Sequence, residues 1–162
     1  MPSGTAHETI NMVALAGVGS AYYYYYGPPV AWDNPLIWSF LAGYLIGTFW
    51  ITPDLDLATQ SVRPKQRWGA LGWIWVPYGK IFPHRGLSHS WILGPGTRVL
   101  YLLALAAAVM GLLDWVFAQI GREFIPPWSW EHQVPPALLS ATAGYYLSQW
   151  VHLVADRVPL RL

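Results

Sequence analysis

Four long runs of mostly uncharged, apolar residues constrain the fold of this 162-residue chain more than any other feature. They cover residues 10–26, 35–51, 91–117 and 137–154. As helices these runs would be apolar nearly all round, whereas the helices of a soluble bundle need a polar face, so we favour the membrane alternative. About 20 apolar residues suffice to cross a bilayer. The sequence therefore predicts an all-α membrane protein, a four-transmembrane-helix bundle forming a single domain over residues 1–162.

The composition supports the same fold class and limits the chemistry. Only 10% of the residues are charged, against about 25% in soluble proteins, and the 11 Trp and 10 Tyr suit membrane interfaces. A net charge of +1 provides no field that would attract nucleic acid. Because the chain has no cysteine, any metal ion must be held by His, Asp or Glu.

The regions between and within the runs suggest more local features. Residues 53–90 are rich in Pro, Gly and Trp, so we expect an interfacial Trp-rich loop between helices 2 and 3, with its basic residues on lipid headgroups. In the third run, Arg98 and Asp114 leave a charge-free core of only 15 residues. We expect these two side chains to extend toward opposite membrane surfaces. Gly43 and Gly47 have the spacing of a close helix contact.

Four crossings would bring the start of helix 1, the end of helix 2, the start of helix 3 and the end of helix 4 to one side of the membrane. Potential metal ligands occur at all four of these places. They are His7, Asp54, Asp56, His84, His89, His152 and Asp156. Such a mixture of imidazole and carboxylate suits one or two divalent ions, with Zn, Mn or Fe favoured over Mg. The sequence therefore predicts a shared metal site on one face of the bundle.

The basic residues predict the orientation of this face. Eight of the nine Lys and Arg residues lie on the side of the candidate site when Arg98 is assigned to its near end, and Arg122 alone lies on the other. Since basic residues concentrate on the cytoplasmic side of membrane proteins, the site is expected to face the cytoplasm.

Two residues have predicted catalytic roles beside the metal. Asp56 could transfer protons, and Arg85 could bind a phosphate oxygen with two hydrogen bonds, while the ion would activate water for attack. Each cluster also has a simpler interpretation: Asp54 and Asp56 as residues that end a helix, His7 as an interfacial anchor, and His152 with Asp156 as a hydrogen-bonded pair. The coincidence of all the clusters on one side favours the metal site.

The same motifs carry a family resemblance. A histidine near the start, Pro-Asp-Leu-Asp at 53–56, His-Arg-Gly-Leu-Ser-His-Ser at 84–90 and His-x-x-x-Asp at 152–156 together resemble a family of four-helix, membrane-bound metal-dependent hydrolases of the bacterial inner membrane. One branch of that family is described as LexA-binding. The nearest likeness is to a cyanobacterial-type branch of metal-binding proteins, through Ser-Gly-x-x-His at 3–7 and Arg-Trp-Gly at 67–69. The resemblance implies metal-binding roles for the same seven residues.

We therefore expect a membrane-embedded metal-binding protein, acting as a metal-dependent hydrolase on a phosphoester or lipid-like substrate. Its expected location is a bacterial inner (plasma) membrane or a thylakoid-like membrane, with lipids and an anionic substrate as its partners and no nucleic acid. The alternative is a non-catalytic metal-binding structural or assembly factor. An ion transporter is less favoured, because transporter sites usually lie near the middle of the bilayer.

Overall fold

A computed structural model describes residues 3–27, 33–84, 86–124 and 135–160 of the chain. Within these ranges every regular element is helical and no strand occurs. The α-helices are α1 (Gly4–Tyr26), α2 (Pro35–Phe49), α3 (Arg63–Arg67), α4 (Trp75–Ile81), α5 (Leu93–Gln119) and α6 (Pro136–Ala155). Three 3-10 turns, Pro53–Asp56, Gly69–Ile74 and Leu87–His89, lie between them. The four long helices match the four apolar runs, although α1 begins early enough to include His7.

Local sequence explains where the first two long helices begin. The Ser3 hydroxyl accepts a hydrogen bond from the Ala6 amide at 3.3 Å, and the Asn34 side chain accepts one from the Leu36 amide at 2.9 Å. Both side chains satisfy amides that have no partner within the helix. Pro35 occupies the first turn of α2, where its missing N–H costs nothing.

Helices α2 and α6 pack with their backbones in close approach, as the glycine spacing predicts. A Cβ atom on Gly43 would clash with the carbonyl oxygen of Ala141, and one on Gly47 would clash with the Ser148 hydroxyl. From the other helix, a Cβ atom on Gly144 would clash with the Phe40 carbonyl. These glycines remove the side chains that would otherwise separate the two helices.

The prediction of four transmembrane helices is wrong. In the described part of the chain, α5 is the single helix both long and apolar enough to cross a membrane. Helix α2 has 15 residues and is about 22 Å long, short of the ~30 Å hydrocarbon core. Helices α1 and α6 are long enough, but Tyr, Ser, Thr and amide side chains lower their mean hydropathy. A run without charges is therefore not equivalent to a run that lipid would favour.

Most of helix α5 is not buried against the rest of the protein. None of the residues in its most apolar stretch is buried, and Leu100, Leu103, Leu112 and Trp115 are exposed. Arg98, expected to extend to the membrane surface, is instead fully buried near the start of α5. It finds hydrogen-bond acceptors inside the protein, which removes the need to reach water.

The Trp-rich segment is a compact part of the structure and not a loop of interfacial anchors. It folds into α3, the turn Gly69–Ile74 and α4. Leu55, Trp75 and Tyr78 are all fully buried and form the hydrophobic core. Trp73 is 68% exposed, so the segment contains both core and surface tryptophans. Periodicity did not reveal this, because the segment lacks any helix longer than two turns.

Three basic residues of this segment, Arg63, Lys65 and Arg67, bind protein groups where headgroup contacts were expected. Arg63 and Arg67 lie 3.2 Å and 2.6 Å from the Glu8 carboxylate, and so connect α3 to α1. The largely buried Lys65 side chain donates to the carbonyl of Leu57 and, at 3.2 Å, to that of Ala58. Together these contacts tie α3 to α1 and to the chain just after Asp56.

Candidate metal centre

The turn Pro53–Asp56 divides its side chains between the core and the candidate site. Leu55 is fully buried in the hydrophobic core, whereas Asp54 and Asp56 face His152 and His84. Helix α4 approaches the turn so closely that a Cβ atom on Gly79 would clash with the carbonyl oxygen of Asp56. This close packing fixes the backbone from which both carboxylates extend.

The turn Leu87–His89 is held just as firmly. A Cβ atom on Gly94 would clash with the carbonyl oxygen of Ser88, so the start of α5 lies directly against this turn. The Ser90 hydroxyl accepts a hydrogen bond from the Gly94 amide at 2.8 Å, and the same carbonyl of Ser88 accepts one from Arg98 at 2.5 Å. Ser88 and His89 are both buried as a result.

Helices α1 and α6 contribute one half of the site. The rings of His7 and His152 stack, with centroids 3.8 Å apart and planes inclined by 4°. Asp156 lies one helical turn after His152, and its oxygens are 3.2 Å from His7 Nε2 and 3.3 Å from His152 Nε2. Asp54 approaches the same histidine, with Oδ1 3.7 Å from His152 Nε2. Two imidazoles and two carboxylates thus meet at the ends of three elements.

Asp56 is the centre of the other half. Its Oδ1 lies 2.7 Å from His84 Nδ1, and its Oδ2 lies 3.0 Å from His89 Nδ1. The Ser88 hydroxyl donates a hydrogen bond to Oδ2 at 2.5 Å. The rings of His84 and His89 meet edge to face, with centroids 4.6 Å apart.

The two halves form one continuous cluster. Asp54, His89 and Asp156 each have a potential ligand atom within 4.8 Å of the others, so His89 connects the two halves. The structure therefore brings together all seven residues that the sequence singled out as ligands. Their roles in binding metal stay a prediction. Arg85, the predicted phosphate-binding residue, lies outside the described residues.

Several buried polar atoms at this cluster have no hydrogen-bond partner among the described residues. They are His7 Nδ1, His89 Nε2, His152 Nε2 and both carboxylate oxygens of Asp156. Leaving such atoms unpaired is costly, and a bound cation would satisfy the carboxylate oxygens and the ring nitrogens that carry a lone pair. The donor set of imidazoles and carboxylates also suits a divalent transition metal. The residues present therefore fit a metal ion.

Electrostatics in the metal-free protein point the same way. Burial raises the pKa of Asp54, Asp56 and Asp156, but the neighbouring histidines, with Ser88 at Asp56, outweigh it and leave all three pKa values below the usual range. Burial lowers the pKa of His152, but the carboxylates of Asp156 and Asp54 raise it by more than burial lowers it, so its pKa lies above the ordinary value. The carboxylates therefore stay ionised to lower pH than usual and favour the protonated form of His152.

Sequence analysis did not identify Arg98 and Gln149 as residues whose hydrogen bonds support the cluster. Arg98 donates to the Gln149 side chain at 2.9 Å as well as to the Ser88 carbonyl. Gln149 in turn donates to the Gly47 carbonyl at 3.0 Å, which extends the network into α2. The sequence shows Arg98 and Gln149 as polar residues inside apolar runs. Their hydrogen bond spans 51 positions, so no local pattern in the sequence predicts it.

Comparison with known proteins identifies the family. A profile described as "Uncharacterized metal-binding protein (DUF2227)" matches residues 2–162. The chain belongs to this metal-binding family. It is also similar to an uncharacterized protein of Aquifex aeolicus (strain VF5), being 43% identical over 60 residues, which are 37% of this chain and 41% of that protein. The chain thus matches about two fifths of the length of this relative, and no solved structure matches it.

The family assignment confirms the coarser part of the sequence interpretation. Metal binding is a property of the family, and the structure contains groups of His and Asp that could hold an ion. The resemblance to hydrolases and to the LexA-binding branch gains no support from the comparisons.

Proposed function

We propose that this protein binds a divalent transition-metal ion at the seven-residue cluster and hydrolyses a phosphoester or lipid-like substrate there. The observation that carries the proposal is an uneven burial of the donor residues. The side chains of His7, His89, His152 and Asp156 are at most 4% exposed, whereas those of Asp54 and His84 are 13% and 23% exposed. A buried cluster with one accessible edge is the arrangement expected of a catalytic site, which keeps a position open for substrate.

The chain's own residues have separate tasks in this proposal. His7, Asp54, His152 and Asp156 hold the ion in the part of the cluster where buried atoms lack partners. The ion would supply Lewis acidity for the hydrolysis and would lower the pKa of a water molecule. His84 lies at the accessible edge, where an imidazole hydrogen-bonded to the buried Asp56 carboxylate can move a proton between substrate and solvent. The sequence suggests Arg85, beside His84, for binding an anionic group.

A non-catalytic role for the ion is the second candidate, and the origin of the donors favours it. They come from α1, α6 and two short turns that are far apart in sequence, so an ion would fasten these elements together. Such an ion would add its binding energy to folding. No substrate would then be turned over.

Hydrolysis assays on the purified full chain distinguish these two roles. Protein loaded with Zn²⁺, Mn²⁺ or Co²⁺ is offered bis-p-nitrophenyl phosphate and a dispersed glycerophospholipid. Catalysis predicts turnover that a chelator abolishes and that Asp54→Asn, which removes a ligand of the ion, lowers by at least about 100-fold, or about 2.7 kcal/mol of transition-state stabilisation. The exposed Asp114→Asn is the matched control and should keep full activity. Stoichiometric metal without any turnover would refute catalysis and support the fastening role.

We also propose that the protein is a membrane protein whose α5 surface contacts lipid, with the cluster on the cytoplasmic side. The unburied apolar surface of α5 and the concentration of basic residues near the cluster support this location. The protein should sediment with membranes after alkaline carbonate washing. Since the chain has no cysteine, Ser61→Cys gives one label site, which an impermeant maleimide should reach only after cell lysis. Recovery in the soluble fraction without detergent would contradict the location, and labelling in intact cells would contradict the orientation.

A further inference from the structure

The seven donors of the cluster are not equivalent in their contacts. We infer that one ion is bound by His7, Asp54, His89, His152 and Asp156, while Asp56 lies outside the coordination sphere and orients His89 and His84. This inference rests on the proposed metal site but not on catalysis. It assigns Asp56 a positioning role, which differs from both roles suggested by the sequence, ligand and acid/base.

The distances between potential ligand atoms differ around the cluster. Ligand atoms bound about 2.1 Å from one ion are separated by about 3.0 Å at right angles and about 3.4 Å at tetrahedral angles. The pairs His7–Asp156, His152–Asp156 and His152–Asp54 are separated by 3.2, 3.3 and 3.7 Å, so they have the spacing of neighbouring ligands. Asp56 lies 2.7 Å from His84, which is shorter than the spacing of two ligands and is an ordinary hydrogen-bond length. Its 3.0 Å separation from His89 fits either arrangement, so the other partners of Asp56 decide between them.

Asp56 and Asp156 also differ in the partners of their carboxylate oxygens. The carboxylate oxygens of Asp156 and the Nε2 atoms of His89 and His152 are buried without hydrogen bonds. Both oxygens of Asp56, by contrast, are already engaged, Oδ1 by His84 and Oδ2 by Ser88 and His89. A carboxylate saturated in this way has little capacity left for an ion, whereas the oxygens of Asp156 approach only the imidazoles of His7 and His152, which would bind the same ion.

The tautomer of His89 leaves its Nε2 atom free to bind the ion. Its Nδ1 faces the Asp56 carboxylate, which can only accept a hydrogen bond, so the proton belongs on Nδ1 and the lone pair on Nε2. Nε2 is the buried, unpaired atom, and His89 has a potential ligand atom close to Asp54 and Asp156. A carboxylate that holds the far nitrogen of a metal-binding histidine is a recurrent second layer of metal sites.

The buried charges favour a single ion. Lys65 and Arg98 are buried cations whose hydrogen bonds reach the backbone next to Asp56 and at Ser88. Against the three carboxylates they leave one negative charge when the histidines are neutral. One divalent ion changes this to a single positive charge, whereas two ions would leave three positive charges in a largely buried volume, which is costly.

The test uses Co²⁺, whose visible absorption bands report its ligands. The wild-type chain should bind one Co²⁺. Asp56→Asn should still bind one, with unchanged bands but an affinity about 10- to 100-fold lower, the usual effect of removing an outer carboxylate. Asp54→Asn and Asp156→Asn, as matched variants that remove a ligand atom, should change the bands themselves. Two ions in the wild type, or bands altered by Asp56→Asn as by Asp54→Asn, would overturn the inference.

A measurement on the wild-type chain covers the case in which Asp56→Asn does not fold. In Zn²⁺-loaded protein labelled with ¹⁵N-histidine, His89 should show a protonated Nδ1 and a metal-shifted Nε2, while His84 should show a protonated Nδ1 and no metal shift. Metal coordination through Nδ1 of either histidine would overturn the inference. A wild-type chain that binds neither Co²⁺ nor Zn²⁺ would refute the metal site itself. Lack of hydrolysis would refute only catalysis.

Discussion

Arg98 offers the sharpest test of how the cluster is supported, because its guanidinium is fully buried near the start of α5, a helix whose most apolar stretch contains no buried residue. It donates to the Ser88 carbonyl at 2.5 Å and to the Gln149 side chain at 2.9 Å. Ser88 also donates to Asp56, so the same residue connects Arg98 to the cluster. Replacing Arg98 by methionine keeps much of the apolar side chain but removes both donors.

The cost follows from these contacts. Arg98→Met loses two hydrogen bonds from a charged donor, each contributing about 1.5–3 kcal/mol, and leaves two buried acceptors unpaired. Removing the buried charge returns part of this, since burying an ion costs several kcal/mol. We expect the free energy of unfolding to fall by about 3 kcal/mol. For a chain of this size about 1 kcal/mol corresponds to 2–4 °C, so the melting temperature should fall by about 6–12 °C.

The assay is thermal unfolding of metal-free wild type, Arg98→Met and two controls in the same buffer. Arg98→Lys keeps the charge but cannot reach two separate acceptors as a planar guanidinium does, so it should melt between the other two proteins. Arg122→Met alters an exposed arginine and should change the melting temperature by less than about 2 °C, since surface substitutions change stability by about 0.5 kcal/mol or less. If Arg98→Met melts no lower than Arg122→Met, the hydrogen bonds of Arg98 do not support the fold.

Three further predictions concern the cluster. Adding saturating Zn²⁺ at 100 times its dissociation constant should stabilise the chain by about 2.7 kcal/mol, and a chelator should reverse this in thermal unfolding; an unchanged melting temperature would contradict metal binding to the folded state. Without metal, the pKa of His152 is raised in the folded protein. Its contribution to stability is therefore complete below about pH 6.5, the pKa of histidine in the unfolded chain, and is lost as pH rises through the folded pKa. The pKa of Asp156 is lowered, so its contribution is lost only in strong acid. The free energy of unfolding should thus decline above about pH 6.5 without metal, whereas the stabilisation by Zn²⁺ should grow with pH. If urea titrations show the reverse pH dependence for both quantities, His152 is neither a paired histidine without metal nor a ligand with it. Finally, Gly94→Ala should clash with the Ser88 carbonyl and lower Co²⁺ affinity measured by titration, whereas Gly111→Ala, where a Cβ atom meets nothing, should bind as the wild type does.

Sequence patterns predicted the members of the cluster but not the division of labour among them. Asp54 and Asp56 occupy the same Pro-Asp-Leu-Asp motif, and nothing in the motif distinguishes them. The difference arises from the turn around Leu55, which directs Asp56 to His84, His89 and the Ser88 hydroxyl and Asp54 to His152. These contacts join residues 28 or more positions apart, so local sequence does not encode them in any readable way.

The prediction of four transmembrane helices was wrong because the absence of charged residues was taken as evidence of hydrophobicity. Helix α1 lacks charged residues after Glu8 but ends in five tyrosines, and α6 carries Gln149 and His152. A related error concerned Arg98, whose charge led us to expect a side chain that extends to the membrane surface. A basic residue in an apolar run fits both extension to the surface and burial against an acceptor, and only the distant partner Gln149 decides between them.

The convergence of the ligands nevertheless does not depend on the number of membrane crossings. His7 stacks on His152, and Tyr44 donates to the Asn11 carbonyl, so α1 runs antiparallel to α6 and α2. The close contacts of Gly43 with Ala141 and of Gly47 with Ser148 make α2 and α6 parallel. These directions alone bring the start of α1 to the ends of α2 and α6, where His7, Asp54 and Asp156 lie. The glycine contacts between α2 and α6 are therefore what keeps the carboxylates of Asp54 and Asp156 beside the same histidine, whether lipid or water surrounds the helices.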